Sequence, residues 1–100
     1  MKRICKFSVH DYMDMYPVDK FYIFEGETLS DVEDNARKFE KHMSETYSGG
    51  TTTFVKIFSK EDARSWYDHE IQLVKSGNFN QEEKDKAIDE LEQEFHDIYD

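Results

Sequence analysis

LSDVEDNARKFEKHMSETYSGGTTTFVKIF, residues 29–58, is the stretch that decides the fold. In its first half Leu29, Val32, Ala36, Phe39, Met43 and Tyr47 recur at spacings of three and four, one continuous apolar stripe on a helix. Ser30 with Glu33 has the spacing of a capping box that starts it, and Thr28 with Asp31 offers an alternative start. Gly49 and Gly50 supply the stop. The second half, TTTFVKIF over 51–58, is β-branched and aromatic, which predicts a strand. A long helix followed by a strand is a crossover, so the sheet must already have begun upstream.

It does. Residues 3–10, RICKFSVH, alternate with Cys5, Phe7 and Val9 on one face and Ile4, Lys6 and Ser8 on the other, a period-2 strand. Residues 20–25, KFYIFE, read as a second strand, apolar on both sides. A right-handed crossover through the helix then lays the third strand beside the first, antiparallel to it. Downstream, Ser59 with Asp62 opens a second helix that runs to Ser76 and stops at Gly77. Asn80 with Glu83 caps a third, with its stripe at Ala87, Ile88, Leu91, Phe95 and Ile98. The expectation is a single α+β domain over residues 1–100, in the order β-β-α-β-α-α, with a mainly antiparallel three-stranded sheet packed by helices. Sorted by alternation, Cys5, Phe7, Val9, Phe21, Ile23, Val55 and Ile57 form one sheet face. Ile4, Tyr22, Phe24, Phe54 and Phe58 form the other, which either helices or a dimer partner must cover.

Composition narrows the function classes unevenly. The chain carries 23 acids against 13 bases, net −10. Such a charge repels phosphate and anionic lipid alike, so neither direct nucleic-acid binding nor membrane binding is expected, and basic partners are favoured. No secretory leader is read in MKRICKFSVH, because Lys6, Ser8 and His10 interrupt its apolar residues. The lone Cys5 cannot form an internal disulfide and sits in a strand pattern, which suits an inert thiol in a cytoplasmic chain.

The catalytic readings fail on geometry. His10-Asp11 is the signature dipeptide of a metal phosphohydrolase class, but it stands at a strand end and the remaining ligands of that class are missing. Cys5 and His10 differ by an odd number on one strand, so their side chains point to opposite faces. The glycines of SGGTTT precede a strand, not a helix, and make no phosphate cradle. The four histidines are dispersed, with no zinc spacing. Asp89, Glu92, His96 and Asp100 share one helix face, yet that is the face a packed helix normally turns to solvent. Tyr22, Phe24, Phe54 and Phe58 would suit base stacking on an open sheet, but the charge opposes it and no basic-aromatic signature accompanies them. No catalytic residue, metal or cofactor is therefore expected, and the chain reads as a non-enzyme.

Two segments stand out as contact surface. The connection HDYMDMYPVD, residues 10–19, has no glycine, and its Tyr12, Met13, Asp14, Met15 and Tyr16 combine large area with polar or adaptable character. The acid is concentrated at the other end of the chain: residues 80–100 hold nine acids and two lysines, net −7. On a helix about 31 Å long these carboxylates average one per roughly 3.5 Å, close to the roughly 3.4 Å per phosphate of one DNA strand. Glu82, Glu83, Asp89, Glu90 and Glu92 are the candidate charge donors to a basic partner. Glu70 falls near the middle of the apolar arc of the second helix, between Trp66 and Val74. There it needs either a core lysine or tyrosine hydroxyl as partner or a face that is only half buried, and the second reading makes it a further candidate contact. Together these features predict an inhibitor or regulator that binds a basic, nucleic-acid-binding protein and blocks its nucleic-acid site. In size, acidity and lack of enzyme motifs the chain is similar in kind to phage-encoded inhibitors of restriction, CRISPR or host DNA enzymes, although no motif carries the likeness to any family. The alternative is a structural homodimer formed through the aromatic sheet face, and the outsider a small metal-dependent enzyme built on the Asp89 cluster.

Overall fold

The computed structural model describes residues 1–100. Its elements are β1 (Lys2–Asp11), β2 (Val18–Glu25), α1 (Leu29–Thr46), β3 (Gly50–Ile57), α2 (Lys60–Ser76) and α3 (Gln81–Tyr99). The fold is α+β in the expected order, with one three-stranded sheet arranged β2-β1-β3. Both neighbours of β1 run antiparallel to it. The chain divides into two compact units, Met1–Phe58 and Ser59–Asp100.

In the first unit α1 starts where Thr28 accepts the Asp31 N–H at 3.2 Å while the Asp31 carboxylate accepts the Thr28 N–H. This reciprocal cap, worth about 1 kcal/mol, settles the start on Thr28 and not Ser30. Val32 and Ala36 of the apolar stripe are buried against Cys5 and Phe7, with Val9, Phe24, Phe39, Phe54 and Ile57 packed around them. Phe7 is the hub. Its ring centroid lies 5.2 Å from Phe39 and 5.6 Å from Phe54, both edge-on, a geometry that adds about 0.5–1.5 kcal/mol per pair beyond area burial.

The face assignment made from alternation is corrected by the register. Cys5 pairs with Tyr22 and Arg3 with Phe24, so Tyr22 and Phe24 lie on the Cys5–Phe7 face and Phe21 and Ile23 on the other. Counting alternation within each strand leaves the relative phase open, and a one-residue slip flips every side chain. A bulge does the same on the other side. Lys6 pairs with Lys56 but Phe7 with Phe54, so Val55 is skipped and left 47% exposed. Phe54 and Ile57, three apart, thereby reach the same face.

Gly50 has a different role from the helix stop expected of it. The helix ends at Thr46, capped by Tyr47, whereas Gly50 opens β3 opposite Asp11. A Cβ there would sit 2.4 Å from the His10 carbonyl oxygen, so the residue is glycine because two backbones meet.

The second unit is a helical hairpin. Ser59 and Asp62 form the α2 capping box, and Asn80 accepts the Glu83 N–H at 2.8 Å to start α3. Ala63, Tyr67, Ile71, Phe95 and Ile98 are buried. The Tyr67 hydroxyl donates to Glu94 at 2.9 Å, and burial followed by this bond raises the phenol above its ordinary value of 10. Arg64 lies over the Phe95 ring at 4.6 Å and grips Glu92 through two bonds of 2.8 and 3.0 Å. No helix is long and apolar enough to cross a membrane.

Candidate protein-docking surface

The β1–β2 connection is shorter than its sequence suggests. β1 runs on through Asp11 and β2 begins at Val18, leaving Tyr12 to Pro17 outside the ladder. What holds it is backbone and one carboxylate. Asp11 Oδ1 accepts the Met13 N–H at 2.9 Å and the Asp11 carbonyl accepts the Asp14 N–H at 2.9 Å, an Asx-type turn that needs no glycine. The other oxygen of Asp11 accepts the Tyr47 hydroxyl at 3.2 Å, and the bond and charge of that carboxylate hold the Tyr47 phenol above its ordinary value. The Tyr12 N–H donates to the Gly49 carbonyl at 2.9 Å. His10 Nε2 lies 3.0 Å from the Asp14 carbonyl oxygen, which it bonds in the tautomer that carries the proton on Nε2.

On this mount the side chains point outward. Met13 is 92% exposed, Met15 81%, Tyr16 73% and Tyr12 63%. Asp14 is exposed between them. Val18, the first residue of β2, is 50% exposed and extends the patch; alternation could not mark it, because its position relative to the turn depends on the register. Isolated exposed apolar residues are ordinary, whereas a contiguous run of them marks a contact surface. All five candidates of this loop, Tyr12 to Tyr16, are exposed on the one turn.

The acidic candidates divide into two sets. Glu82, Glu83, Asp89 and Glu90 are exposed along the first half of α3. Glu92 is engaged by Arg64, and that bond, with the Arg64 charge, lowers its carboxyl below the ordinary 4.5. Toward the C-terminus Asp100 takes Lys60 and His96 as partners. The α3 carboxylates near its C-terminus therefore largely serve the hairpin, and those near its N-terminus face outward. Glu70, which falls near the middle of the apolar arc in sequence, is half-buried on α2.

The remaining candidates do not assemble into a reactive site. Cys5 is fully buried, and desolvation pushes its thiol up to about 11. His96 approaches Glu92 and Asp100 on α3, but no group of three or more His, Cys, Asp or Glu side chains is arranged to hold a metal ion. Phe24 and Phe54, read from sequence as part of a spare aromatic face, pack against this unit's own core beneath α1, and Tyr22 touches the Phe7 and Phe39 rings while staying 38% exposed. Among the exposed apolar residues that the sequence did not mark as contact surface are Leu73 at 53% and Phe79 at 57%. Leu73 falls within the sequence of the α2 apolar arc between Trp66 and Val74, and Phe79 lies in a turn among Gly77, Asn78 and Asn80, where the signal was an aromatic out of place. Neither protein families, nor curated proteins, nor solved structures yield a match to this chain.

Proposed function

We propose that this chain is a non-enzymatic acidic interaction module that binds a basic, nucleic-acid-binding protein and occupies its nucleic-acid site. The observation that carries the reading is the Tyr12–Val18 loop: five large apolar or amphipathic side chains, 50–92% exposed, on a turn tied down by Asp11. Ordering cost is what usually limits a loop's affinity, and a turn already fixed by hydrogen bonds avoids much of it. The net charge of −10 supplies the second ingredient, steering toward a positively charged channel and speeding encounter at low salt.

The test is capture followed by competition. The tagged chain is expected to retain a basic protein from cell lysate at ~50 mM salt and to lose it progressively toward ~500 mM, as screening shortens the reach of the field. The captured protein, purified, should bind nucleic acid, and the chain should displace that nucleic acid stoichiometrically. Tyr12→Ala with Tyr16→Ala should abolish displacement while leaving the fold intact. Displacement that survives the double substitution, or a partner that holds its nucleic acid and this chain together, sinks the reading.

A further inference from the structure

The second unit carries a groove that the reading above does not use. It has a volume of about 530 Å³ and is lined by Val74, Phe79, Glu83, Lys86, Ala87 and Glu90. The four α3 residues stand at i, i+3, i+4 and i+7, one stripe along the helix. Val74 closes the groove from the end of α2, and Phe79 from the turn. Phe79 is held there by the absence of a side chain at Gly77, where a Cβ would fall 2.9 Å from its ring. Leu73, half-exposed one residue before Val74, adds apolar surface nearby in sequence. Apolar floor with charged walls is the pattern of a groove that receives an amphipathic helix.

The charge of the walls says which helix. From Asn80 to Glu90 the chain holds five acids and two lysines. Lys84 Nζ donates to the Lys75 carbonyl at 2.8 Å at the end of α2, a neutral acceptor that leaves its charge in place, so this segment keeps a net charge of −3. Lys86 stands between Glu83 and Glu90 on the stripe, leaving one net negative charge on the groove wall. Asp89 and Glu82 are exposed on the same half of the helix. The carboxylates further along, Glu92 and Asp100, are already paired, so the uncompensated acid gathers beside this apolar floor.

We infer that the groove between α2 and α3 binds a Lys/Arg-rich amphipathic helix, whose apolar residues seat against Val74, Phe79 and Ala87 while its cations face Glu83 and Glu90. The inference rests on the reading that the partner is basic, and it names the segment chemistry that a second surface of this chain recognises. The apolar floor supplies the affinity and the walls select the sign of charge.

The probe is a short synthetic helical peptide with Leu at i, i+3 and i+4 of one face and Lys on the other, measured by fluorescence anisotropy with the full chain and mapped by amide chemical shifts. Two control peptides replace Leu by Ser or Lys by Glu. Binding is expected with shifts centred on Val74, Phe79 and Ala87, and both controls should bind at least ~10-fold more weakly. Phe79→Ser and Glu83→Lys with Glu90→Lys should each cost ~10-fold or more, and their exposure keeps them from unfolding the hairpin, which circular dichroism checks. Equal binding of the Ser control, shifts that map to the Tyr12–Val18 loop, or insensitivity to Phe79→Ser overturns the inference. Absence of peptide binding also overturns it, yet leaves nucleic-acid displacement by the Tyr12 loop standing. Conversely, peptide binding with no displaced nucleic acid keeps the groove and removes the blocking function.

Discussion

The Glu40 carboxylate accepts the backbone N–H of Phe54 at 2.6 Å, so a side chain of α1 satisfies a β3 donor beside the Val55 bulge. Phe54 is half-buried, and a donor left without a partner there costs its desolvation. Glu40→Ala should lower unfolding stability by about 1–3 kcal/mol, read as a shift in the urea midpoint at constant slope. Glu40→Gln, which keeps an acceptor oxygen, should recover most of it. An unchanged midpoint in the alanine variant would show that water replaces the carboxylate without loss.

Gly50 faces His10 across two backbones, with 2.4 Å between the position of a Cβ and the His10 carbonyl oxygen. Neither strand has a flexible end that can swing away, so Gly50→Ala should destabilise by about 1–3 kcal/mol. At Gly49 the added atom would meet the Tyr47 ring at 3.1 Å, and the smaller cost expected there in the same urea titration separates backbone collision from ring crowding.

Asp11 is the fastening of the Tyr12–Val18 loop. Asp11→Ala removes the acceptor of both Met13 N–H and the Tyr47 hydroxyl without altering any exposed contact side chain. Stability should fall by about 1 kcal/mol. Nucleic-acid displacement should weaken as well, because the loop must then be ordered at the moment of binding. Displacement at full strength would mean that the mount contributes nothing to recognition.

Acid should loosen the helical hairpin in a defined direction. Bonding to Arg64 lowers the Glu92 carboxyl below 4.5, and bonding to Lys60, then His96, lowers Asp100 below 3.8. Folded forms of both groups bind fewer protons than unfolded ones, so their stabilisation is present above the ordinary values and is lost as pH falls through the folded ones. Both side chains are more than a third exposed, so solvent screens the effect. Melting temperature followed between pH ~5 and ~2.5 should decline less steeply in Glu92→Gln and Asp100→Asn than in the parent. Parallel declines would place the acid sensitivity elsewhere.

The Cys5 thiol, fully buried and pushed up to about 11, should be nearly silent to a disulfide reagent at neutral pH. The native protein is expected to react at least ~100-fold more slowly than the denatured chain. A fast native reaction would reveal opening of the sheet around Phe7.

Elements of this fold were legible in sequence to the extent that their signals are local. The Ser59–Asp62 box, the Asn80 cap and the middle of the α1 stripe each lie within one helix turn or repeat at 3.6 residues and stand where their spacing placed them, whereas the ends of that stripe, Leu29 and Tyr47, are exposed. Sheet faces were not legible. Whether Tyr22 sits with Phe7 depends on how many residues the turn leaves unpaired, and whether Phe54 joins them depends on the Val55 bulge. The loop was recognisable as a surface by its composition, but its mount was hidden, since Asp11 reaches Tyr47 across 36 positions of chain. Likewise the crowding of acids on α3 is visible in the sequence, whereas the engagement of Glu92 by Arg64 is a property of the hairpin alone.

The strand order β2-β1-β3 has a mechanical consequence. β1 is the central strand, the loop leaves from its end, and the Tyr12–Gly49 bond continues the β1–β3 ladder one residue beyond the strand. Because the loop joins β1 to β2, a pull on its tip along the strand axis moves those two strands together and loads the β1–β3 row of hydrogen bonds in shear. Bonds sheared together share the force, whereas bonds peeled from an edge yield singly. The loop is thus anchored by the β1–β3 row as a whole, and a partner of the proposed kind should detach before the fold ruptures.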